Sequence, residues 1–63
     1  MKYKIKELRE KRKMTQQELA EKSKVARTTI IRLESDDDVE TTVGTLKALA
    51  DALNVNIKYL FLP

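Results

Sequence analysis

Residues 16–33 of this 63-residue chain, QQELAEKSKVARTTIIRL, carry the pattern that decides the fold. Apolar residues recur at helical spacing on both sides of Lys24, which indicates two short helices that share one buried face. The spacing changes at Lys24 and Val25, where a turn is expected. The inward positions are Leu19, Ala20, Val25, Ile30 and Leu33. This arrangement is typical of a helix-turn-helix.

The outer face of the second of these helices is polar and basic. Its side chains point away from the expected core, so the helix can present them to a DNA groove. Arginine donors match O6 and N7 of guanine, threonine can bond a base or a phosphate, and isoleucine can meet the thymine methyl group. The candidate base-reading residues are Arg27, Thr28, Ile31 and Arg32. Solvated surface residues are the alternative, and for Ile31 it is packing against the fourth helix.

The charge distribution also favours a polyanionic partner. Residues 1–34 hold eleven Lys and Arg against five acids, a net of +6. Residues 35–63 hold two Lys against five acids, a net of −3. A basic amino-terminal half suits DNA. Taken alone, the charge counts favour a solvated charged surface, but that interpretation loses weight because the basic half also carries the helix-turn-helix spacing.

The composition excludes several other classes of protein. There is no Cys and no His, which removes disulfides, Cys-based zinc sites and the commonest general base. No apolar run approaches the roughly 20 residues that span a bilayer. We therefore expect a cytoplasmic protein with no membrane segment, no metal and no cofactor, and we do not expect an enzyme.

Helical patterns cover the rest of the chain, and no segment alternates like a β-strand. We predict helices over residues 4–12, after Thr15, over residues 27–34, after Thr42 as far as Asn54, and after Asn56. Thr15 begins a capping box with Glu18. The prediction is one compact all-α domain over residues 1–63, with five helices and the helix-turn-helix formed by helices 2 and 3. The expected core is Ile5, Leu8, Met14, Leu19, Ala20, Val25, Ile30, Leu33, Leu46, Leu49, Leu53 and Leu60.

Three segments in this order carry a family resemblance: IKELREKRKMTQQELAEKS (residues 5–23), VARTTIIRLE (25–34) and LKALADALNVNIKYLF (46–61). The chain resembles the Xre/Cro family, which includes the lambdoid phage repressors. The resemblance implies a salt bridge between Arg9 and Glu34 that helps to set the angle of the reading helix. It implies base contacts from Arg27, Thr28 and Arg32. The expected phosphate contacts are Gln16 at the helix amino terminus, with Thr15, Gln17 and Thr29 as further candidates.

The chain departs from the family pattern at three single positions and in one loop. Many relatives have glycine at the positions of Lys13 and Lys24, and a Ser or Thr cap at that of Ala26. The connector after helix 3 is acidic and would repel phosphates, so we expect no phosphate contact from it. It is a solvated loop, or its charges narrow the DNA footprint or bind a basic surface on another protein. Its acids are Asp36, Asp37, Asp38 and Glu40.

One reading helix contacts only a few base pairs, and family members usually bind as two-fold dimers. The candidate dimer surface is Ile57, Tyr59, Phe61 and Leu62, although Ile57 and Phe61 could instead complete the core. We expect a sequence-specific regulator of transcription that binds double-stranded DNA, a repressor occupying a near-palindromic operator as a homodimer. The alternative is an antitoxin or similar module that binds a toxin-like protein and DNA secondarily.

Overall fold

The computed structural model describes residues 3–35 and 41–61. Within them the fold is all-α, as predicted: α1 (Ile5–Lys11), α2 (Gln16–Ser23), α3 (Arg27–Glu34), α4 (Val43–Ala52) and a 3₁₀ helix (Ile57–Leu60). The fifth predicted helix is thus a single 3₁₀ turn. No helix in the described part of the chain is long and apolar enough to cross a membrane. The acidic residues 36–40 and Leu62 lie outside the described residues.

Short side chains begin three of the helices, as the sequence predicts. Thr15 Oγ1 accepts a hydrogen bond from Glu18 N at 3.0 Å, and Thr15 N donates to Glu18 Oε1 at 2.8 Å, which completes the capping box. Thr42 Oγ1 accepts from Thr45 N at 3.2 Å to begin α4. Asn56 starts the 3₁₀ helix in the same way. Ala26, which precedes α3, provides no side-chain cap.

The core lies where the four helices and the 3₁₀ helix meet. α2 packs on both α3 and α4, α1 packs on α3, and the 3₁₀ helix packs on α4. Because α4 has neighbours on two sides, the small Ala50 and Ala52 are buried together with its leucines. The largest fully buried side chains are Ile5, Leu19, Ile30, Leu49, Leu53 and Leu60.

Three residues predicted for the core are only half-buried: Leu8, Met14 and Val25. They pack against the edge of the core, near the ends of the first two helices. The predicted first helix also shrinks by one residue at each end, because Lys4 and Arg12 take the cap positions of α1.

Candidate nucleic-acid interface

The outer face of α3 carries the predicted base-reading residues in an accessible position. Arg27, Thr28 and Arg32 are exposed, and Thr29 is half-buried. Ile30 is fully buried while the adjacent Ile31 is 42% exposed. Ile31 therefore stands outside the core, on the face that a DNA groove would meet.

The start of α2 offers several hydrogen-bond donors to an anion. The capping box satisfies the backbone N–H groups of Thr15 and Glu18. The backbone N–H groups of Gln16 and Gln17 have no acceptor among the described residues, as is usual for the first turn of a helix. The Thr15 hydroxyl oxygen already accepts a bond, and its proton remains available to donate. Such an array attracts anions because the helix dipole adds to it.

Arg9 and Glu34 form a two-pronged ion pair between α1 and the end of α3. Arg9 Nε donates to Glu34 Oε2 at 2.7 Å, and Arg9 Nη2 donates to Glu34 Oε1 at 3.2 Å. Arg9 Nη1 also donates to the Met14 carbonyl at 2.7 Å. The side chains are only 12% and 5% exposed. One guanidinium thus ties α1 to α3 and to the segment that leads into α2.

The same carboxylate also holds Gln16, a contact that the sequence did not predict. Gln16 Nε2 donates to Glu34 Oε1 at 3.0 Å, so one amide N–H is engaged and the other remains available. We call these three side chains the Arg9–Glu34–Gln16 network. Hydrogen bonding to Glu34 raises the pKa of Arg9 above its usual value, against the opposing effect of desolvation. The guanidinium of Arg9 therefore stays charged.

Gln17 is placed differently from Gln16. It is exposed, and its Nε2 donates to Glu21 Oε2 at 3.2 Å, one turn further along α2. Its amide has a second N–H that remains available to a phosphate.

A shallow groove of about 590 Å³ joins the start of α2 to the start of α3. It brings the predicted phosphate contacts of α2 next to Arg27 of the reading helix. It also includes Lys13, which was not predicted to contact DNA. Its lining is Arg9, Lys13, Met14, Thr15, Gln16, Gln17 and Arg27.

Both turns that frame α2 use lysine in a left-handed backbone conformation. Lys13 has φ 56° and Lys24 has φ 62°, a region that favours glycine and costs other residues about 1 kcal/mol. Lys13 N donates to Glu10 O and Met14 N donates to Arg9 O, which closes α1. The resemblance pointed to these two positions through the glycines of relatives.

Buried Ser23 holds the turn between α2 and α3, a role that the sequence pattern did not predict. Its hydroxyl donates to Leu19 O at 2.7 Å and accepts from Val25 N at 3.2 Å. A serine at the last position of an amphipathic helix gives no periodicity signal, so the pattern of apolar residues could not reveal it.

The carboxyl-terminal residues predicted for a dimer surface divide into two groups. Ile57 is half-buried and packs against the core. Tyr59 is 46% exposed and Phe61 is 39% exposed. Phe61 also makes an edge-to-face contact with Tyr3, with ring centroids 5.6 Å apart. An aromatic surface therefore remains accessible at the end of the described chain.

Comparison with known proteins supports the helix-turn-helix interpretation. A helix-turn-helix family model matches residues 5–60, a range that contains all four α-helices and the 3₁₀ helix. A search of curated proteins finds no match. Because this family model covers most of the chain, the protein belongs to the Xre/Cro-like helix-turn-helix family of DNA-binding transcription regulators.

Proposed function

We propose that this protein is a sequence-specific regulator in the cytoplasm, a repressor that occupies a near-palindromic operator as a homodimer. The observation that carries the proposal is the exposed face of α3, with Arg27 and Arg32 outward and Ile30 inward. This face gives the helix donors for base edges without exposing the core. Occupying a promoter is enough to exclude a polymerase, so repression needs no further chemistry.

Base recognition is assigned to the exposed residues of α3. Arg27 and Arg32 have two-pronged donors suited to guanine, and each good pair of bonds is worth roughly 1–3 kcal/mol of discrimination. Thr28 can bond a base or a phosphate. Ile31 offers an exposed apolar group suited to a thymine methyl.

Orientation on the duplex is assigned to the start of α2. Gln16, held by Glu34, has one amide N–H left for a phosphate, and Thr15 and Gln17 lie in the same groove. Thr29 on α3 is half-buried, as Gln16 is, whereas Thr15 and Gln17 are exposed. Phosphate bonds at this place would fix the depth and angle at which α3 enters the groove.

Dimerisation is proposed because one short helix reads too few base pairs for a specific site. A two-fold dimer places two reading helices one DNA turn apart, about 34–36 Å. Tyr59 and Phe61 supply the exposed apolar surface that such a contact requires. Ile57 is half-buried and packs against the core, so it contributes less to this surface.

Selection of binding sites from randomised duplexes tests this function directly. We expect an inverted repeat whose half-sites are one helical turn apart. Enrichment of a single half-site would remove the dimer from the proposal. Absence of any enriched sequence, with binding to random DNA retained, would contradict sequence-specific regulation.

A second candidate function uses the same aromatic surface for a different protein. In this view Tyr59 and Phe61 contact a toxin-like partner, and DNA binding serves autoregulation. Purification from native cells would then recover a second chain in equimolar amount. A purified protein that is dimeric and selects an operator by itself would favour the repressor.

A further inference from the structure

We propose that Lys13 is a DNA phosphate contact, in which its ammonium group binds the backbone beside the reading helix. The proposal rests on the proposed function in one respect, namely that DNA lies against the outer face of α3. It adds a binding residue outside α2 and α3, in the turn that precedes them. Three observations carry it: the conformation of Lys13, the charges of the groove, and the contrast with Lys24.

The backbone at Lys13 is held in one place. Its φ of 56° lies in the left-handed region, and the hydrogen bonds from Lys13 N to Glu10 O (3.0 Å) and from Met14 N to Arg9 O (3.1 Å) fix the turn. Arg9 Nη1 in turn donates to Met14 O at 2.7 Å. The ammonium group is therefore carried on a flexible stem from a rigid base at the rim of the groove.

The fold itself does not require a lysine at this position. Lys13 is exposed, and a left-handed backbone is adopted more readily by glycine. The turn would keep its backbone hydrogen bonds with any residue that tolerates this φ. A lysine at such a position acts through its charge.

The charges of the groove favour a phosphate. Three of the residues that line it are cationic, namely Arg9, Lys13 and Arg27, and none is acidic. The charge of Arg9 is neutralised by Glu34, whose Oε2 lies 2.7 Å from Arg9 Nε. Among the described residues, neither Lys13 nor Arg27 lies within 4.0 Å of a carboxylate oxygen. Two cations that have no carboxylate partner in the described part of the chain therefore flank the donors of Gln16 and Gln17.

Lys24 provides a matched control. It has nearly the same conformation, with φ 62°, and it is exposed as well. It lines a different hollow, together with Lys22, Ser23, Ala48, Asp51 and Ala52. Replacing either lysine with glycine removes one positive charge and one side chain from a left-handed backbone position. Only the replacement of Lys13 alters the groove beside Arg27.

The experiment measures the salt dependence of DNA binding for the wild type, Lys13→Gly and Lys24→Gly. Fluorescence anisotropy titrations between about 50 and 200 mM salt, on random duplex and on a selected site, give the slope of log K against log salt. For Lys13→Gly we expect the slope to fall by about 0.9 per protomer, since one phosphate contact releases one set of counterions. Affinity should fall by the same factor on both duplexes. Lys24→Gly should keep the wild-type slope, and Lys13→Arg should keep it too.

Thermal unfolding separates this effect from loss of structure. In both variants glycine replaces a lysine whose backbone is left-handed, which removes the strain at that position. Neither variant should therefore have a lower melting temperature than the wild type. A Lys13→Gly variant that is stable but has a reduced slope supports the phosphate contact. If Lys13→Gly is unfolded, the salt dependence is measured on Lys13→Asn instead, because asparagine is neutral and tolerates the left-handed region.

Other outcomes contradict the proposal. Equal slopes for Lys13→Gly and Lys24→Gly would show that Lys13 makes no specific contact, and a loss confined to the selected site would make it a base contact. If no site can be selected but Lys13→Gly still lowers the slope on random DNA, sequence-specific function fails while the contact stands. A wild type that binds no duplex at low salt would overturn both.

Discussion

Arg27 occupies the first position of α3, where a cation is unfavourable for the helix. The amino-terminal end of a helix carries a partial positive charge, and α3 has no acidic residue in its first turn and no side-chain cap. This first position also places Arg27 in the lining of the groove between the starts of α2 and α3. A residue that costs stability at its own position is understandable if it binds DNA.

Replacing Arg27 with alanine should therefore move stability and DNA affinity in opposite directions. We expect the free energy of unfolding to rise by about 0.3–1 kcal/mol, because the repulsion with the helix dipole is lost. Binding to a selected site should weaken by about 1–3 kcal/mol, with preference relaxed at one base position. Urea unfolding and anisotropy titrations on single-base variants of the site measure the two effects.

Lys47→Ala is the matched control for Arg27→Ala, since Lys47 is an exposed cation on α4, paired with Asp51 at 3.5 Å. It should change operator binding little. Equal losses for Arg27→Ala on operator and random DNA would assign Arg27 to a phosphate instead of a base.

At the scale of the element, the helices are too short to be stable alone. They have between seven and ten residues, and isolated helices shorter than about 12–15 residues are marginal in water. Their stability comes from packing and from their ends. α2 has a complete capping box and α4 has a threonine cap, whereas the N-cap residue of α3 is Ala26, which makes no side-chain hydrogen bond.

Ala26→Ser should stabilise the protein by adding the missing cap. Ala26 has φ −57° and ψ 138°, a non-helical conformation such as N-cap residues have, and a serine oxygen there can accept a bond from the first turn of α3. The expected gain is about 1 kcal/mol, seen as a higher urea midpoint with an unchanged m value.

Ala48→Ser, in the interior of α4, controls for the general effect of serine and should lower stability by about 0.5 kcal/mol. An unchanged midpoint for Ala26→Ser would mean that packing already satisfies the start of α3.

At the scale of the whole molecule, the Arg9–Glu34–Gln16 network joins the first three helices. Glu34 accepts three hydrogen bonds, two from Arg9 and one from Gln16. Among the described residues, no buried side-chain N or O atom lacks a partner. Removing Glu34 would leave a largely buried guanidinium without its counter-charge, which is more costly than the pair itself is favourable.

Glu34→Ala should therefore lower the free energy of unfolding by about 1–3 kcal/mol, a substantial part of the 5–15 kcal/mol typical of small domains. The double variant Arg9→Met, Glu34→Leu removes both charges and fills similar space, so it should be more stable than Glu34→Ala. Urea unfolding of the single and double variants measures this. A double variant no more stable than Glu34→Ala would contradict the argument from the unpaired charge.

Assembly also belongs to the scale of the whole molecule. If Tyr59 lies in the dimer interface, Tyr59→Glu buries a charge there and should raise the dimer dissociation constant at least tenfold, or about 1.4 kcal/mol. Sedimentation equilibrium gives the constant. Val43→Glu places a charge at another exposed apolar residue and should leave it unchanged. Equal dissociation constants for the wild type and Tyr59→Glu would remove this surface from the dimer.

The sequence by itself determined the four α-helices and the caps that begin α2, α4 and the 3₁₀ helix. The capping box links Thr15 to Glu18, only three residues away, and Thr42 and Asn56 act over equally short distances. Apolar spacing correctly separated buried Ile30 from exposed Ile31, because each position on a helix has a defined direction. These signals are local, so they can be recognised without knowing how the helices cross.

Only the tertiary structure decided which distant residues meet. Gln16 reaches Glu34 across 18 positions of sequence, and Lys13 shares a groove with Arg27. Tyr3 contacts Phe61 at the other end of the described chain. Leu8 and Met14 fit the apolar pattern but lie at the edge of the core. Each of these depends on the angles and distances at which helices cross, and those follow from packing among all the core side chains at once.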